Sequence, residues 1–443
     1  MNRLWVAEGF VEMKAGMMKE EVAEGYLNEL INRSLVQVAE MREDRRVRKY
    51  RIHDLWREII VSKLGEQNIV TLANSLSKLS VLATSNDGLR LLTVLDLRGA
   101  LLETFPNEVL KLHQLMYLSL RETNVKIIPK SIGNLRNLET LDLKQTYVTE
   151  LLDDILKLKR LLHILLYHHI QDYVPPIRFK YQCGFKTPTE IGRLSSLQKL
   201  CSIETNHDNG TILLGEVGKL TQLRKLHIQN LRNEDGRVLC SSLEKLSNLR
   251  SLIVRATEED EIIDLDSLSS PSQLLRSLCL EGSLLKVPHW IPSLHNLLKV
   301  FLRWSKFRDV DPLESLQGLP NLVVLLFLQA HEGEELCFKA GGFQKLVRLY
   351  LRGLKGLRWV KMEAGSIPHL EELVIRQYEF VEELPSGIEH LTSLKSFELV
   401  DMSDGLISSL NRDLECGNNW KIAHISKVWI GDTKLGYWTG NYL

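Results

Sequence analysis

Seven basic side chains recur at one position of a repeated pattern. The pattern reads Leu-x-x-Leu-x-Leu, and the residue directly after its third apolar position is basic in seven of thirteen copies. These residues are Arg98, Arg121, Lys144, Arg255, Arg303, Arg352 and Arg376. A row of such cations on a neutral molecule favours an acidic protein partner and speeds its docking. The alternative is that long-stemmed side chains only cover the strand edges.

Five aromatic residues close to these cations are candidate anchors for the same partner. They are Tyr117, Tyr167, Phe301, Trp304 and Tyr350. Aromatic side chains at the centre of an interface often carry much of its binding energy. The acidic run 258–261 is a further charged feature, for which a solvated loop and a docking patch both remain open.

Residue patterns typical of catalysis, metal binding or phosphate binding are missing from the sequence. His163, His168 and His169 cluster, but no carboxylate or cysteine lies at metal spacing. A phosphate loop needs G-x-x-x-x-G-K-[ST]. The Gly218-Lys219 pair is followed by Leu220 and preceded five residues earlier by Leu213. We therefore predict no enzymatic activity, no metal and no cofactor for this chain.

The repeats themselves predict the fold that positions these side chains. Their first leucines are at Leu92, Leu115, Leu138, Leu161, Leu197, Leu223, Leu249, Leu275, Leu297, Leu322, Leu346, Leu370 and Leu394. Steps of 22–26 residues, with one of 36, are typical of leucine-rich repeats. The apolar alternation predicts a short strand in each repeat, and Pro-led spacing of three, as after Pro106 and Pro129, predicts a short helical or 3₁₀ turn. The expected fold is an α/β solenoid, a horseshoe of about 13–14 repeats spanning roughly 60 Å.

Composition sets limits on the class of protein. The chain has 443 residues, is 44% hydrophobic and carries 56 basic and 56 acidic residues. This balance predicts no general attraction to nucleic acid or acidic membrane. No apolar run is long enough for a transmembrane helix, and the start lacks a signal-peptide pattern. Six scattered cysteines indicate reduced thiols in an intracellular protein.

Residues 1–65 differ from the repeats and read as helix, strand, hairpin and strand, a winged-helix order. The motifs Leu4-Trp5-Val6-Ala7-Glu8-Gly9-Phe10, Ala23-Glu24-Gly25-Tyr26-Leu27 and Ile52-His53-Asp54 stand in this region. Together they resemble the second ARC subdomain of plant coiled-coil/NB-ARC/leucine-rich-repeat disease-resistance proteins, with Ile52 in place of the family's Met. The repeats resemble that family's as well.

The resemblance implies a function and also marks a departure. The family recognises pathogen effectors or guarded host proteins, and its repeats contact a nucleotide-binding module that holds ADP or ATP. A histidine corresponding to His53 approaches the ADP β-phosphate there. Since this chain lacks the phosphate loop, His53 and Asp54 are a motif remnant beside a helix start. A cytoplasmic location follows, with peripheral attachment to the plasma membrane left open.

Four regions are expected along the chain. These are a winged-helix-like remnant at 1–65, a transition at 66–91 with a shortened first strand near 76–81, repeats at 92–417 and a cap at 418–443. The 36-residue repeat is expected to hold a loop between Tyr167 and Glu190. Two rival functions remain: a repeat adaptor such as a ubiquitin-ligase subunit, and a nucleic-acid-binding winged helix using Arg45 and Arg46.

Overall fold

A computed structural model describes most of the chain. The described residues are 11, 19–33, 36–41, 47–52, 71–72, 92–171, 180–205, 209–308, 311–378, 383–410, 418–434 and 437–442. The chain divides into two compact units. Unit 1 comprises Met1–His168 and Cys183–Cys201, and unit 2 comprises His169–Gln182 and Ser202–Leu443.

Unit 1 begins with a helix and a hairpin. Helix α1 (Lys19–Asn32) is followed by strands β1 (Val36–Met41) and β2 (Val47–Ile52), which pair antiparallel with Val36 opposite Ile52. The helix buries Val22 and Ala23 against Val11. This order agrees with the predicted helix and hairpin. The expected helix after Ile52, together with His53, Asp54, Arg45 and Arg46, lies outside the described residues.

The repeats of unit 1 form a parallel ladder. Its strands are β3 (Thr71–Leu72), β4 (Val94–Asp96), β5 (Tyr117–Ser119), β6 (Thr140–Asp142) and β7 (His163–Leu165). Each pairs with the next in chain order. The first strand of this ladder therefore lies at 71–72, earlier than the predicted 76–81, which is outside the described residues. Thr71 pairs with Leu95, one repeat length ahead, which places this strand in phase with the array.

Short 3₁₀ helices form the second half of four repeats in the described part of unit 1. They span Asn107–Lys111, Lys130–Asn134, Asp153–Lys157 and Ile191–Arg193. Pro106 and Pro129 directly precede the first two, as their spacing predicts. The repeated leucines fill the interior between strands and helices, and Leu95, Leu118 and Leu141 are fully buried.

The 36-residue repeat contains strands where a loop was expected. Strands β8 (His168–Gln171) and β9 (Lys180–Cys183) pair into a two-stranded sheet. Pairing satisfies backbone groups that an extended loop would leave to water. Pro175 and Pro176, which suggested the loop, lie between the two strands and outside the described residues. Strand β10 (Lys199–Glu204) follows, and its first residues pair with β7.

Unit 2 continues the repeats with longer strands. They are β11 (Lys225–Leu231), β12 (Ser251–Ala256), β13 (Ser277–Glu281), β14 (Lys299–Arg303), β15 (Val324–Leu328), β17 (Arg348–Arg352), β19 (Glu372–Tyr378), β20 (Ser396–Met402) and β21 (Lys427–Lys434). All pair in parallel in this order. Strand β22 (Tyr437–Tyr442) turns back and pairs antiparallel with β21.

The segments that connect successive strands of the parallel sheet are more varied in unit 2 than in unit 1. In the described residues of unit 2, four of these segments are α-helices: α2 (Gly210–Val217), α3 (Gly236–Leu243), α4 (Pro312–Leu316) and α5 (Asp404–Ser409). Short 3₁₀ helices span Asn233–Asp235, Ile291–Ser293, Ile388–His390 and Asn418–Ile422. Strands β16 (Glu335–Phe338) and β18 (Trp359–Met362) form a separate parallel pair. No helix in the described part of the chain has the length and apolarity needed to cross a bilayer.

One backbone feature recurs throughout and has no single sequence signature. Seven residues after the first leucine of a repeat, the chain adopts φ between +47° and +70° in nine repeats. The residues are Gly99, Glu122, Gln145, Asn230, Trp304, Gln329, Gly353, Gln377 and Asp401. This left-handed residue directly follows the position of the basic row. It comes immediately after the last residue of β14, β15 and β17, and it is the second-last residue of β11, β19 and β20. Glycine adopts such angles without strain, and asparagine and aspartate tolerate them better than other residues do.

Candidate functional site

The outward face of the parallel sheet carries the predicted partner-binding residues. In β14, Val300 and Leu302 are fully buried in the interior, so Lys299, Phe301 and Arg303 lie on the opposite face. The same alternation holds in the neighbouring strands. We call the residues that alternate with the buried leucines the outward face.

In unit 1 the basic residues alternate with carboxylates. Arg98 Nε and Nη2 donate to Glu122 Oε2 and Oε1 at 3.0 and 2.9 Å, and Arg121 Nε donates to the same Oε1 at 3.1 Å. The hydrogen bond from Arg98 lowers the pKa of Glu122 and raises that of Arg98. The Arg98–Glu122–Arg121 cluster therefore carries one net positive charge.

Further along unit 1, Lys144 is held by Asp142 and Tyr167. Its Nζ lies 3.6 Å from Asp142 Oδ2 and 5.9 Å from the centroid of the Tyr167 ring. Asp142 also accepts the Lys144 amide, and Asp96 accepts the Arg98 amide, so each aspartate fixes the turn at the end of its strand. Tyr117, a predicted anchor, is buried against Val94.

In unit 2, Glu281 lies between two arginines of the row. Arg303 Nη1 donates to Glu281 Oε1 at 2.9 Å, and Arg255 Nε lies 3.9 Å from Oε2. Parallel register places Arg255, Glu281 and Arg303 side by side on β12, β13 and β14. The Arg255 guanidinium also lies 5.7 Å from the centroid of the buried Trp304 ring.

A second set of ion pairs occupies β17, β19 and β20. Arg348 Nε donates to Glu372 Oε2 at 2.9 Å, and the Tyr350 hydroxyl donates to Oε1 at 3.1 Å. Arg376 Nη2 donates to Glu398 Oε2 at 2.7 Å. Arg352 lies with its guanidinium 5.3 Å from the centroid of the Tyr350 ring.

The basic row predicted from one sequence position thus has carboxylates beside several of its cations. Glu122, Asp142, Glu281 and Glu398 alternate with its cations, and three of the aromatic anchors are buried. The carboxylates stand at other positions of the repeat, or in copies without a basic residue. Strand register brings these carboxylates into contact with the basic residues. Aligning the repeats by that register would have identified the carboxylates from the sequence.

An apolar cluster lies among these charges in unit 2. Val324, Tyr350 and Val374 are buried, and Phe301 and Leu326 pack against them while partly exposed. Phe301 and Leu326 are register partners on β14 and β15. The described residues thus present an apolar centre surrounded by charged groups on this part of the sheet.

Ser202, the exception to the apolar pattern, has a structural reason. Its backbone turns left-handed two residues earlier than in the nine repeats named above, with φ +60°. Its hydroxyl contacts His227 Nδ1 at 2.9 Å, and both side chains are buried. Burial first, and then the nearby charges of Lys225, Arg255 and Arg303, lower the pKa of His227 to about 3.

The Gly218-Lys219 pair does not fit a phosphate ligand. Gly218 caps the carboxyl end of α2, where backbone carbonyls rather than amides are free. Lys219 is paired with Glu216.

Of the three clustered histidines, His163 is buried and contacts Thr140 Oγ1 at 2.9 Å, while the side chains of His168 and His169 lie outside the described set.

Comparisons with known proteins match both parts of the chain. Residues 67–408 match the family described as "Leucine-rich repeat region", and residues 1–60 match "Disease resistance protein Winged helix domain". Among solved structures, a leucine-rich-repeat protein of Leptospira interrogans covers 79% of this chain and 99% of its own, with 19% identity and a TM-score of 0.45.

Curated relatives are disease-resistance proteins of plants. RPM1 of Arabidopsis thaliana is 31% identical over 96% of this chain and 49% of its own length. Pik-2 of rice, Oryza sativa subsp. japonica, is 30% identical over 91% of this chain and 48% of its own length. The chain thus spans about half the length of the curated relatives it matches.

Proposed function

Since the chain belongs to the leucine-rich-repeat family and carries the winged-helix and repeat regions of plant disease-resistance proteins, we propose that it recognises protein partners through the outward face of its sheet. The observation that supports this proposal is that the outward face combines cations, carboxylates and apolar side chains on a parallel ladder of strands. Such a mixed surface suits a protein partner better than a uniformly charged polymer. A pathogen effector or a guarded host protein is the partner we assign to the face of unit 2.

For unit 1, the proposed partner is a nucleotide-binding module. The Arg98–Glu122–Arg121 cluster supports this assignment, because it is exposed, carries net positive charge and belongs to the same compact unit as the winged-helix residues. Rim charges of this kind mainly raise association rates and fix orientation. Autoinhibitory contact with such a module is the regulatory role we propose.

A charge reversal tests this assignment. The double variant R98E/R121E should bind a separately expressed nucleotide-binding fragment of the family at least about tenfold more weakly, measured by biolayer interferometry. The melting temperature should change little, since exposed ion pairs contribute little stability. R193E is the matched control, because Arg193 forms an exposed pair with Glu190 on a 3₁₀ helix. Unchanged affinity of R98E/R121E would overturn the role of this cluster.

We place the protein inside the cell and assign it a binding role without chemistry of its own. Cys201, Cys240 and Cys279 are buried free thiols, which suits a reducing compartment. Burial raises the pKa of Cys279 well above its usual range, which makes this thiol a poor nucleophile. A fluorescent fusion that accumulated in the secretory pathway would contradict this location.

A further inference from the structure

Strand β15 breaks the alternation expected of a sheet face that meets water. Its five residues, Val324 to Leu328, are all apolar, so both of its faces are apolar. A sheet with one solvated face normally alternates apolar and polar residues, whereas strands covered on both faces are continuously apolar. On the outward side of β15, Val324 and Leu328 are already buried within the chain, whereas Leu326 is partly exposed. Leu326 is therefore the apolar position of this strand that a partner could cover.

The neighbouring strands surround this apolar centre with positive charge. On β14, β15, β17 and β19 the register defines twelve outward positions, of which six are apolar. The other six are Lys299, Arg303, Arg348, Arg352 and Arg376, with Glu372 as the one carboxylate. Five cations and one carboxylate give these twelve positions a charge of +4, which the bordering Glu281 and Glu398, paired with Arg303 and Arg376, reduce to +2. The whole chain has a formal net charge of +0.

We propose that the outward face of β14, β15, β17 and β19 binds an extended acidic peptide segment whose apolar side chain packs on Phe301 and Leu326. This inference rests on the proposed function and specifies the chemistry of the partner. Phe301 and Leu326 are the partly exposed members of the apolar cluster, and Val324, Tyr350 and Val374 form its buried floor. Carboxylates on either side of the apolar side chain would face Lys299 and Arg348 on one flank, and Arg303 and Arg352 on the other.

The carboxylates of this face argue for a peptide and against a nucleic acid. Glu281 and Glu398 border the four strands and pair with Arg303 and Arg376, and Glu372 lies within them. A phosphate backbone carries a charge at every nucleotide and would meet these carboxylates repeatedly. A peptide can place neutral residues opposite them. Mixed charge of this kind selects one partner register over others.

Four defined probes test the inference by fluorescence anisotropy with the full chain. The first is a labelled peptide alternating glutamate with phenylalanine and leucine. The second carries glutamine for every glutamate, the third carries glycine for the apolar residues, and the fourth is a single-stranded oligonucleotide of equal charge. The first should bind at least about tenfold more tightly than each of the others and should weaken as salt rises. Equal binding of any other probe would overturn the proposal.

Two variants locate the site. R352E and K299E should each weaken binding of the acidic peptide about five- to tenfold. R358E is the matched control, because Arg358 is an exposed arginine that pairs with Glu334 and precedes β18. An equal loss in R358E would show that the effect is not local to the face. If peptide binding fails while the nucleotide-binding fragment still binds unit 1, the inference is wrong and the proposed function stands.

Discussion

At the residue scale, His227 shows how a buried titratable group ties stability to pH. The folded protein holds its pKa at about 3, below the ordinary value of 6.5. Between these values the unfolded chain binds a proton that the folded chain does not. Stability of unit 2 must therefore fall as pH falls through this window, and His227 adds no pH dependence above it.

Replacing His227 by glutamine should remove this dependence. One group contributes a slope of at most about 1.4 kcal/mol per pH unit. Urea unfolding at pH 7, 6 and 5 should show a smaller loss of stability in H227Q than in the parent chain. H113Q, at an exposed position, serves as control. Identical pH profiles for H227Q and the parent would mean that His227 has the same pKa in the folded and unfolded protein, which would contradict the lowered pKa.

Two glutamates of the outward face should differ in their contribution to stability. Glu281 is 12% exposed and bonded to Arg303, whereas Glu122 is 39% exposed. A charged hydrogen bond shielded from water is worth more than one in solvent. E281Q should lower the free energy of unfolding by about 1–2 kcal/mol, and E122Q by less than about 1 kcal/mol. Equal losses in chemical denaturation would show that burial of this pair is immaterial.

At the element scale, the left-handed position is a backbone requirement filled by several residue types. At Gly99 the cost of the left-handed backbone can be measured without a steric clash, because a Cβ built there would meet nothing within 4 Å and φ is +70°. G99V should therefore destabilise unit 1 by about 1–3 kcal/mol through backbone strain alone. G99N should cost much less, since asparagine tolerates this region. Thermal unfolding of the two variants gives the comparison, and similar losses would contradict the strain argument.

The interior leucines are shared between neighbouring repeats. Leu141 is fully buried in β6, while Leu101 is 85% exposed. L141D should cost more than about 4 kcal/mol, because it buries a charge without a partner. L101D should stay within about 0.5 kcal/mol of the parent. Hydrogen exchange should show the loss of protection spreading from β6 to β5 and β7, and protection retained in β5 and β7 would contradict a shared core.

The repeats could be predicted from the sequence because burial of leucine imposes a period that survives variation elsewhere. The ion pairs could not, since Arg98 and Glu122 are 24 residues apart and meet only through the register. The left-handed turns were missed because Glu, Gln, Trp and Asn occupy them as well as glycine. Strands β8 and β9 were missed because the adjacent prolines favoured a loop.

At the scale of the whole molecule, we expect the chain alone not to bind a nucleotide, because its Gly218-Lys219 pair does not fit the phosphate-loop pattern. Gly218 and Lys219 lie at the wrong end of a helix for phosphate. We expect titration of the chain alone with ADP and Mg²⁺ to give no saturable heat in calorimetry. A nucleotide-binding fragment of the family is the positive control. One-site binding by this chain would show that other residues form a nucleotide site.

Parallel register gives the outward face a property that no single repeat has. Each strand contributes one side chain to each row, about 4.8 Å from the next, while a separate set of residues fills the interior. A substitution in a row alters one contact and leaves the hydrophobic packing beneath it intact. Successive substitutions in a row can therefore change which partner the protein binds in small steps, while the protein remains folded after each substitution.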